Sequence, residues 1–116
     1  MKSITPAQLQ DWLQEARSQL PPDALPLVLD VREPWELQTA SVKTDGFALL
    51  AMPMRTVPER YLELDRKQPI ACLCHHGARS AQVAHFLMNN GFTEVVNIHG
   101  GIHAWSQESD PTVPLY

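Results

Sequence analysis

The run Leu25-Pro26-Leu27-Val28-Leu29-Asp30-Val31 places apolar residues at consecutive rather than alternate positions. A strand reading this way is buried on both faces, which is the signature of a parallel sheet covered by helices on each side. Two more short runs read as strands, Ile70-Ala71-Cys72-Leu73 and Glu94 to Ile98. Between them lie segments with helical spacing. Thr5-Pro6 supplies an N-cap and a first-turn proline for Leu9, Trp12, Leu13 and Ala16, after a short opening strand that begins near Ser3. Glu33 to Leu37 suggests one short helix, Val57 to Leu64 a further one, and Ile102 to Trp105 a last one. Ala81, Val83, Ala84, Phe86, Leu87 and Met88 make the most apolar helix, closed by Asn89-Asn90-Gly91. The apolar run Phe47 to Met52, behind the turn Lys43-Thr44-Asp45-Gly46, supplies a third strand. Strands alternating with helices predict an α/β domain joined by right-handed crossovers.

The chain has 116 residues, 44% of them hydrophobic, which is enough for one core and too little for two. Residues 1–116 are therefore expected to form a single domain with a proline-rich tail at 110–116. The net charge of −4 comes without a run of lysine or arginine. Nucleic acid is not expected as a partner. No basic-then-apolar leader and no membrane-length apolar stretch is present, so a cytoplasmic location is expected. Cys72 and Cys74 lie two apart; along a strand that separation is roughly 6–7 Å, beyond disulfide reach, and reduced thiols are expected.

In open α/β sheets, ligands bind beyond the carboxyl ends of the strands. Two segments end there carrying chemistry: Asp30-Val31-Arg32-Glu33 and Cys74-His75-His76-Gly77-Ala78-Arg79-Ser80. Cys74 stands where a strand stops and a helix begins a few residues later, so the backbone must turn sharply. Gly77 permits the bend. Amides at the start of the helix carry the positive end of its dipole and stabilise an anion held in the loop. A thiolate is such an anion, and Cys74 reads as a nucleophile with His75, His76 and Arg79 beside it. The same residue standing alone would read as a buried strand-end cysteine.

The loop CHHGARS (74–80), the upstream DVREPWE (30–36) and the downstream GGIHAW (100–105) resemble, in order and spacing, the three landmark segments of the rhodanese family. The resemblance covers nearly the whole chain. It implies a three-layer rhodanese-like fold, a mostly parallel five-stranded sheet flanked by helices on both faces. It also implies a sulfurtransferase in which a donor such as thiosulfate passes its outer sulfur to Cys74. The Cys74 persulfide would then pass it to a thiophilic acceptor: cyanide, a thiol or an acceptor protein. The loop His75, His76, Gly77, Ala78, Arg79 and Ser80 would hold the persulfide and orient the anionic donor. No cofactor is implied.

Relatives that handle phosphate or arsenate, such as cell-cycle phosphatases and arsenate reductases, keep one more residue between cysteine and arginine. Here four residues separate Cys74 from Arg79. The tighter loop favours a single sulfur and leaves the phosphatase-like reading second, beside a non-catalytic sulfur-binding or regulatory module. Two departures from the pattern stand out. The segment 40–47 lacks the usual glycine-histidine-isoleucine and carries extra residues around Lys43, which could form a lip that narrows access to the site or contacts a partner. His75 occupies a position where thiosulfate-using relatives often carry a permanent positive charge.

Among the other residues, Asp30 is expected to brace the backbone near the site, and Arg32 to pair with Glu33 or Glu36. Cys72 is expected to pack in the core. No metal site is expected: Cys72, Cys74, His75 and His76 lack ligand-pair spacing, and Gly100-Gly101 interrupts any helical face shared by His99 and His103. Both of those histidines are read as surface or supporting groups.

Overall fold

A computed structural model describes residues 2–116. Five strands form one sheet in the order β1-β5-β4-β2-β3: β1 (Lys2–Ile4), β2 (Leu27–Asp30), β3 (Ala48–Ala51), β4 (Ile70–Leu73) and β5 (Val95–Ile98). Every pairing is parallel, so the sheet is wholly rather than mostly parallel among the described residues. The helices are α1 (Leu9–Ser18), α2 (Pro34–Thr39), α3 (Val57–Arg60), α4 (Ala78–Met88) and α5 (Gly101–Glu108). Among the described residues, no helix is long and apolar enough to cross a membrane.

The consecutive apolar residues of β2 divide between two cores by the two-residue period of a strand. Val28 joins Ala71, Leu73, Val96 and Ile98 beneath Leu9, Trp12 and Leu13 of α1 and Ile102 and Trp105 of α5. Leu27, Leu29 and Val31 join Ile70, Cys72 and Val95 beneath Val57 of α3 and Val83, Ala84 and Leu87 of α4. Each face of the sheet is thus sealed by helices, as the continuous apolar runs require. Cys72 and Cys74 are both free and both lie in the second core.

Local chemistry moves several element boundaries. A 3₁₀ turn, Pro6–Gln8, precedes α1, because the Gln8 side chain reaches back to accept from the Thr5 N–H at 2.9 Å. The helical segment after Val57 tightens into a 3₁₀ turn at Tyr61–Glu63, which delivers Leu64 into the second core. α5 runs on past Trp105 to Glu108, where the N–H groups of Ser109 and Asp110 both close on the Trp105 carbonyl at 2.9 Å.

The segment 40–47 does not line the site. Ala40, Val42 and Phe47 are buried in the first core, and Phe47 enters β3 opposite the beginning of β2, at the amino end of the sheet. The Gly46 carbonyl accepts from Arg17 near the end of α1 (3.0 Å), and Lys43 donates to Thr112 in the tail. The extra residues therefore fasten α1 and the tail at the end of the sheet away from the Cys74 loop, rather than forming a lip.

At the carboxyl end, β4 and β5 deliver two backbone turns into contact. The first amides of α5 close onto the loop after β4: Ile102 N–H donates to the Cys74 carbonyl (2.9 Å) and His103 N–H to the His75 carbonyl (3.1 Å). Helices begin with amides that have no partner in their own helix, and here the loop carbonyls supply one. The approach is possible only because residue 101 is glycine. Gly101 has φ +63°, and a Cβ there would lie inside contact distance of the carbonyl groups of Cys74 and His75. Gly101→Ala combines a left-handed alanine with a backbone clash and should cost about 2–4 kcal/mol of stability, read from urea unfolding. A loss below about 1 kcal/mol would show that this junction is looser than its geometry.

Candidate active site

Cys74 follows β4 directly and is 1% exposed. Its Sγ accepts from the Gly77 N–H at 3.0 Å and lies 3.2 Å from Ser80 Oγ. Gly77, with φ +104°, turns the chain into α4, and its N–H points back at the sulfur. A side chain at Gly77 would press on the Gly100 amide, so the two glycine turns pack against each other.

Ser80, on the first turn of α4, is fully buried. Its Oγ stands 2.5 Å from Asn97 Oδ1, 3.2 Å from Cys74 Sγ and 3.3 Å from the Gly77 carbonyl. One hydroxyl proton faces three acceptors. It can rest on Asn97 while Cys74 is protonated and turn to the sulfur when a thiolate forms. Asn97 Nδ2 donates to the Gly77 carbonyl at 3.2 Å, fixing the peptide that precedes α4. Asn97 was not singled out in the sequence, although a single amide within the apolar strand Val95–Ile98 is the kind of residue that marks a buried polar contact.

Arg79 does not reach toward the sulfur as a free cation. Its guanidinium grips Glu36 with two parallel bonds, Nη1 to Oε1 at 2.6 Å and Nη2 to Oε2 at 2.8 Å. The same carboxylate accepts from the Glu33 N–H (3.0 Å) and the Tyr116 hydroxyl (2.7 Å), and Glu36 is 3% exposed. The hydrogen bonds from Arg79, reinforced by that from Tyr116, hold the Glu36 carboxyl at about 2, below its ordinary 4.5, against the opposing effect of burial. Neither Glu36 nor Tyr116 was foreseen as part of the site. The three-residue spacing of Glu33 and Glu36 around Pro34 carries the helix-start signal, but nothing local announces the arginine.

Arg32 pairs with Asp30, not with Glu33 or Glu36. Its Nη2 lies 2.7 Å and its Nε 2.9 Å from the Asp30 carboxylate, both side chains being buried. Glu36 takes Arg79 instead, and Arg32 reaches only the Glu36 backbone carbonyl (3.2 Å) and the Tyr116 hydroxyl (3.0 Å). The reason is geometric: two residues along an extended segment leave Asp30 and Arg32 on one side, where a short fork closes between them. Asp30 also accepts from the Arg32 N–H at 3.2 Å, bracing the strand exit.

His75 stacks on the Tyr116 ring at 3.8 Å with the planes 3° apart. Burial, then the neighbouring His76, pushes its pKa below the ordinary histidine value, so His75 is largely neutral near pH 7. His103 of α5 lies against the same pair rather than out on the surface, its ring 5.0 Å from that of His76. Cys72 is fully enclosed one strand position before Leu73; burial raises its thiol far above the ordinary range and keeps it protonated.

The comparisons agree with this geometry. The rhodanese-like domain family matches residues 5–108. A sulfurtransferase of Allochromatium vinosum is 33% identical over 87 residues, covering 75% of this chain and 78% of its own. A rhodanese-like/PpiC domain-containing protein of Arabidopsis thaliana is 40% identical over 93 residues, 77% of this chain; the match spans only 30% of that longer protein. Among solved structures, a rhodanese-related protein of Thermoplasma volcanium superposes over the full length of both chains, with a TM-score of 0.75 and 33% identity. Sheet order, cysteine loop and relatives converge, and the chain belongs to the rhodanese-like domain family.

Proposed function

We propose that residues 1–116 act as a single sulfurtransferase unit that carries sulfane sulfur on Cys74. The observation that carries this reading is the pair of donors around the nearly fully buried Cys74 Sγ, the Gly77 N–H and the Ser80 hydroxyl, at the start of α4. Donors preorganised around a sulfur stabilise negative charge there more than water does. The Cys74 thiolate attacks the outer sulfur of thiosulfate, an S–S bond forms, and the bond to sulfite breaks with its electron pair leaving on sulfite. The terminal sulfur of the persulfide is then taken by cyanide, a thiol or an acceptor protein, which restores the thiolate. Arg79 acts in this scheme by position. Clamped to Glu36, it ties α4 to α2 and sets the place where Ser80 and Gly77 stand. The name of the Allochromatium relative, a sulfurtransferase, supports sulfur transfer in general; thiosulfate is the donor the scheme names first.

The test is mass spectrometry of the intact chain after a panel of sulfane donors that includes thiosulfate and polysulfide. One added sulfur on Cys74, with sulfite released from thiosulfate, is expected, and Cys74→Ser should abolish both. Absence of an adduct with every donor, or wild-type turnover no better than Cys74→Ser, would sink the proposal. Ser80→Ala removes one donor to a charged sulfur and should slow sulfur loading roughly 10- to 100-fold. An unchanged loading rate would leave the backbone amide as sufficient.

The clamp also sets a pH response. Because the folded-state pKa of Glu36 lies below its ordinary 4.5, the clamp stabilises the fold fully above that value and loses its contribution as pH falls from 4.5 toward 2. The contribution is at most roughly 3 kcal/mol, reduced by screening at the Arg79 side chain, which is 34% exposed. Glu36→Gln should be less stable at neutral pH and should flatten the loss of stability between pH 5 and pH 3, measured by urea unfolding across about that range. A variant as acid-sensitive as the wild type would remove Glu36 as the source.

A further inference from the structure

The Cys74 loop and α5 bring together three histidines from two parts of the chain. A ring nitrogen of His75, of His76 and of His103 each lies within 4.8 Å of the other two. His75 Nε2 and His103 Nδ1 are both buried and have no hydrogen-bond partner. Buried ring nitrogens without partners are rare and call for a ligand. Among the described residues no thiol or carboxylate joins the cluster, so the candidate donors are imidazoles only.

We propose that His75, His76 and His103 form a three-nitrogen site for a divalent transition-metal ion of borderline softness, of which Zn²⁺ is the representative. Tetrahedral coordination with Zn–N bonds of about 2.0–2.1 Å sets nitrogens roughly 3.4 Å apart, so nitrogens within 4.8 Å of one another must close by at most ~1.4 Å. Side-chain rotation supplies that: His76 is exposed and His75 and His103 are partly so. His75 sits against a fixed support, stacked on the Tyr116 ring, which orients the imidazole and leaves Nε2 free. Three imidazoles leave a fourth position open, and an ion held by neutral ligands keeps its full charge. The residue that follows Cys74 would then carry a permanent positive charge at the mouth of the site, which His75 alone does not supply.

The three imidazoles bind the ion without the Cys74 thiol, so the site is best tested without the competing thiolate. Zn²⁺ is titrated by calorimetry into the full chain bearing Cys74→Ser, and Co²⁺ is followed by its visible spectrum. One equivalent of each ion is expected, with Co²⁺ bands of nitrogen and oxygen ligation and no thiolate charge transfer. Adding His103→Ala should weaken Zn²⁺ binding at least about tenfold, and adding His76→Ala, an exposed residue whose loss leaves packing intact, should do the same. Failure of Cys74→Ser to bind either ion overturns the proposal, as does affinity that survives both histidine substitutions in chains whose urea midpoints are unchanged. Because sulfur loading is measured on the wild-type chain, a failed metal site leaves the sulfur-transfer reading untouched.

Discussion

The site depends on a contact between two stretches of backbone, the start of α5 and the residues that leave β4. Cys74 and His75 present their carbonyls to the amides of Ile102 and His103. Once those carbonyls are fixed on one side, the chain has little freedom before Gly77 turns it into α4, and the Gly77 N–H comes to rest on the sulfur. Two helix starts are therefore used differently at one place. That of α5 satisfies its amides on the loop and sets its shape; that of α4 keeps an N–H for the anion. Glycine at 77 and 101, each with positive φ, lets the two turns approach more closely than any side chain would allow.

A second constraint is the Glu36 carboxylate. It holds the Arg79 fork, the Tyr116 hydroxyl and the Glu33 amide, so one nearly buried charge joins α2, α4 and the end of the chain. A buried carboxylate is costly unless its lone pairs are filled, and here each oxygen accepts two hydrogen bonds. Next to it Arg32 and Asp30 make a separate buried pair that reaches the same tyrosine. Removing Glu36, Arg79, Asp30 or Arg32 would leave its charged partner uncompensated, which is why the network acts as a unit in positioning the loop.

Sheet class, strand number, the two-sided core and the cysteine loop were legible in the sequence because each rests on local pattern: continuous apolar runs, helical periods and glycine turns. The parallel character followed from the alternation of strands with helices and from the continuous apolar run of β2, whose residues go alternately to the two cores. What was not legible rests on pairings across the chain. Arg32 could have met Glu33, Glu36 or Asp30 by distance along the chain, and only the position of α4 decides that Glu36 is taken by Arg79. Tyr116 lies 80 residues from Glu36 in sequence and has no pattern that foretells the bond. His103 looked peripheral because Gly100-Gly101 breaks the helix before it; that break is what folds it back onto His75 and His76. The segment 40–47 misled for the opposite reason, since an unusual stretch next to a landmark motif suggested proximity, while the sheet carries it to the far end.

These pairings change where positive charge is available to an anionic donor. Arg32 is buried and matched by Asp30, and Arg79 is matched by Glu36, so both guanidiniums of the landmark segments enter the site already neutralised. What remains around Cys74 is the Gly77 amide, the dipole of α4, the Ser80 hydroxyl and the histidines. Such a cradle suits a single sulfur carrying a diffuse negative charge, since short-range donors at about 3 Å act on it directly. It is less suited to drawing a dianion from solution, which calls for an unpaired charge at the mouth. In the proposed sulfur transfer, holding the sulfur thus falls to the Gly77 amide and the Ser80 hydroxyl, while the strength of donor capture is left to the imidazoles at the rim.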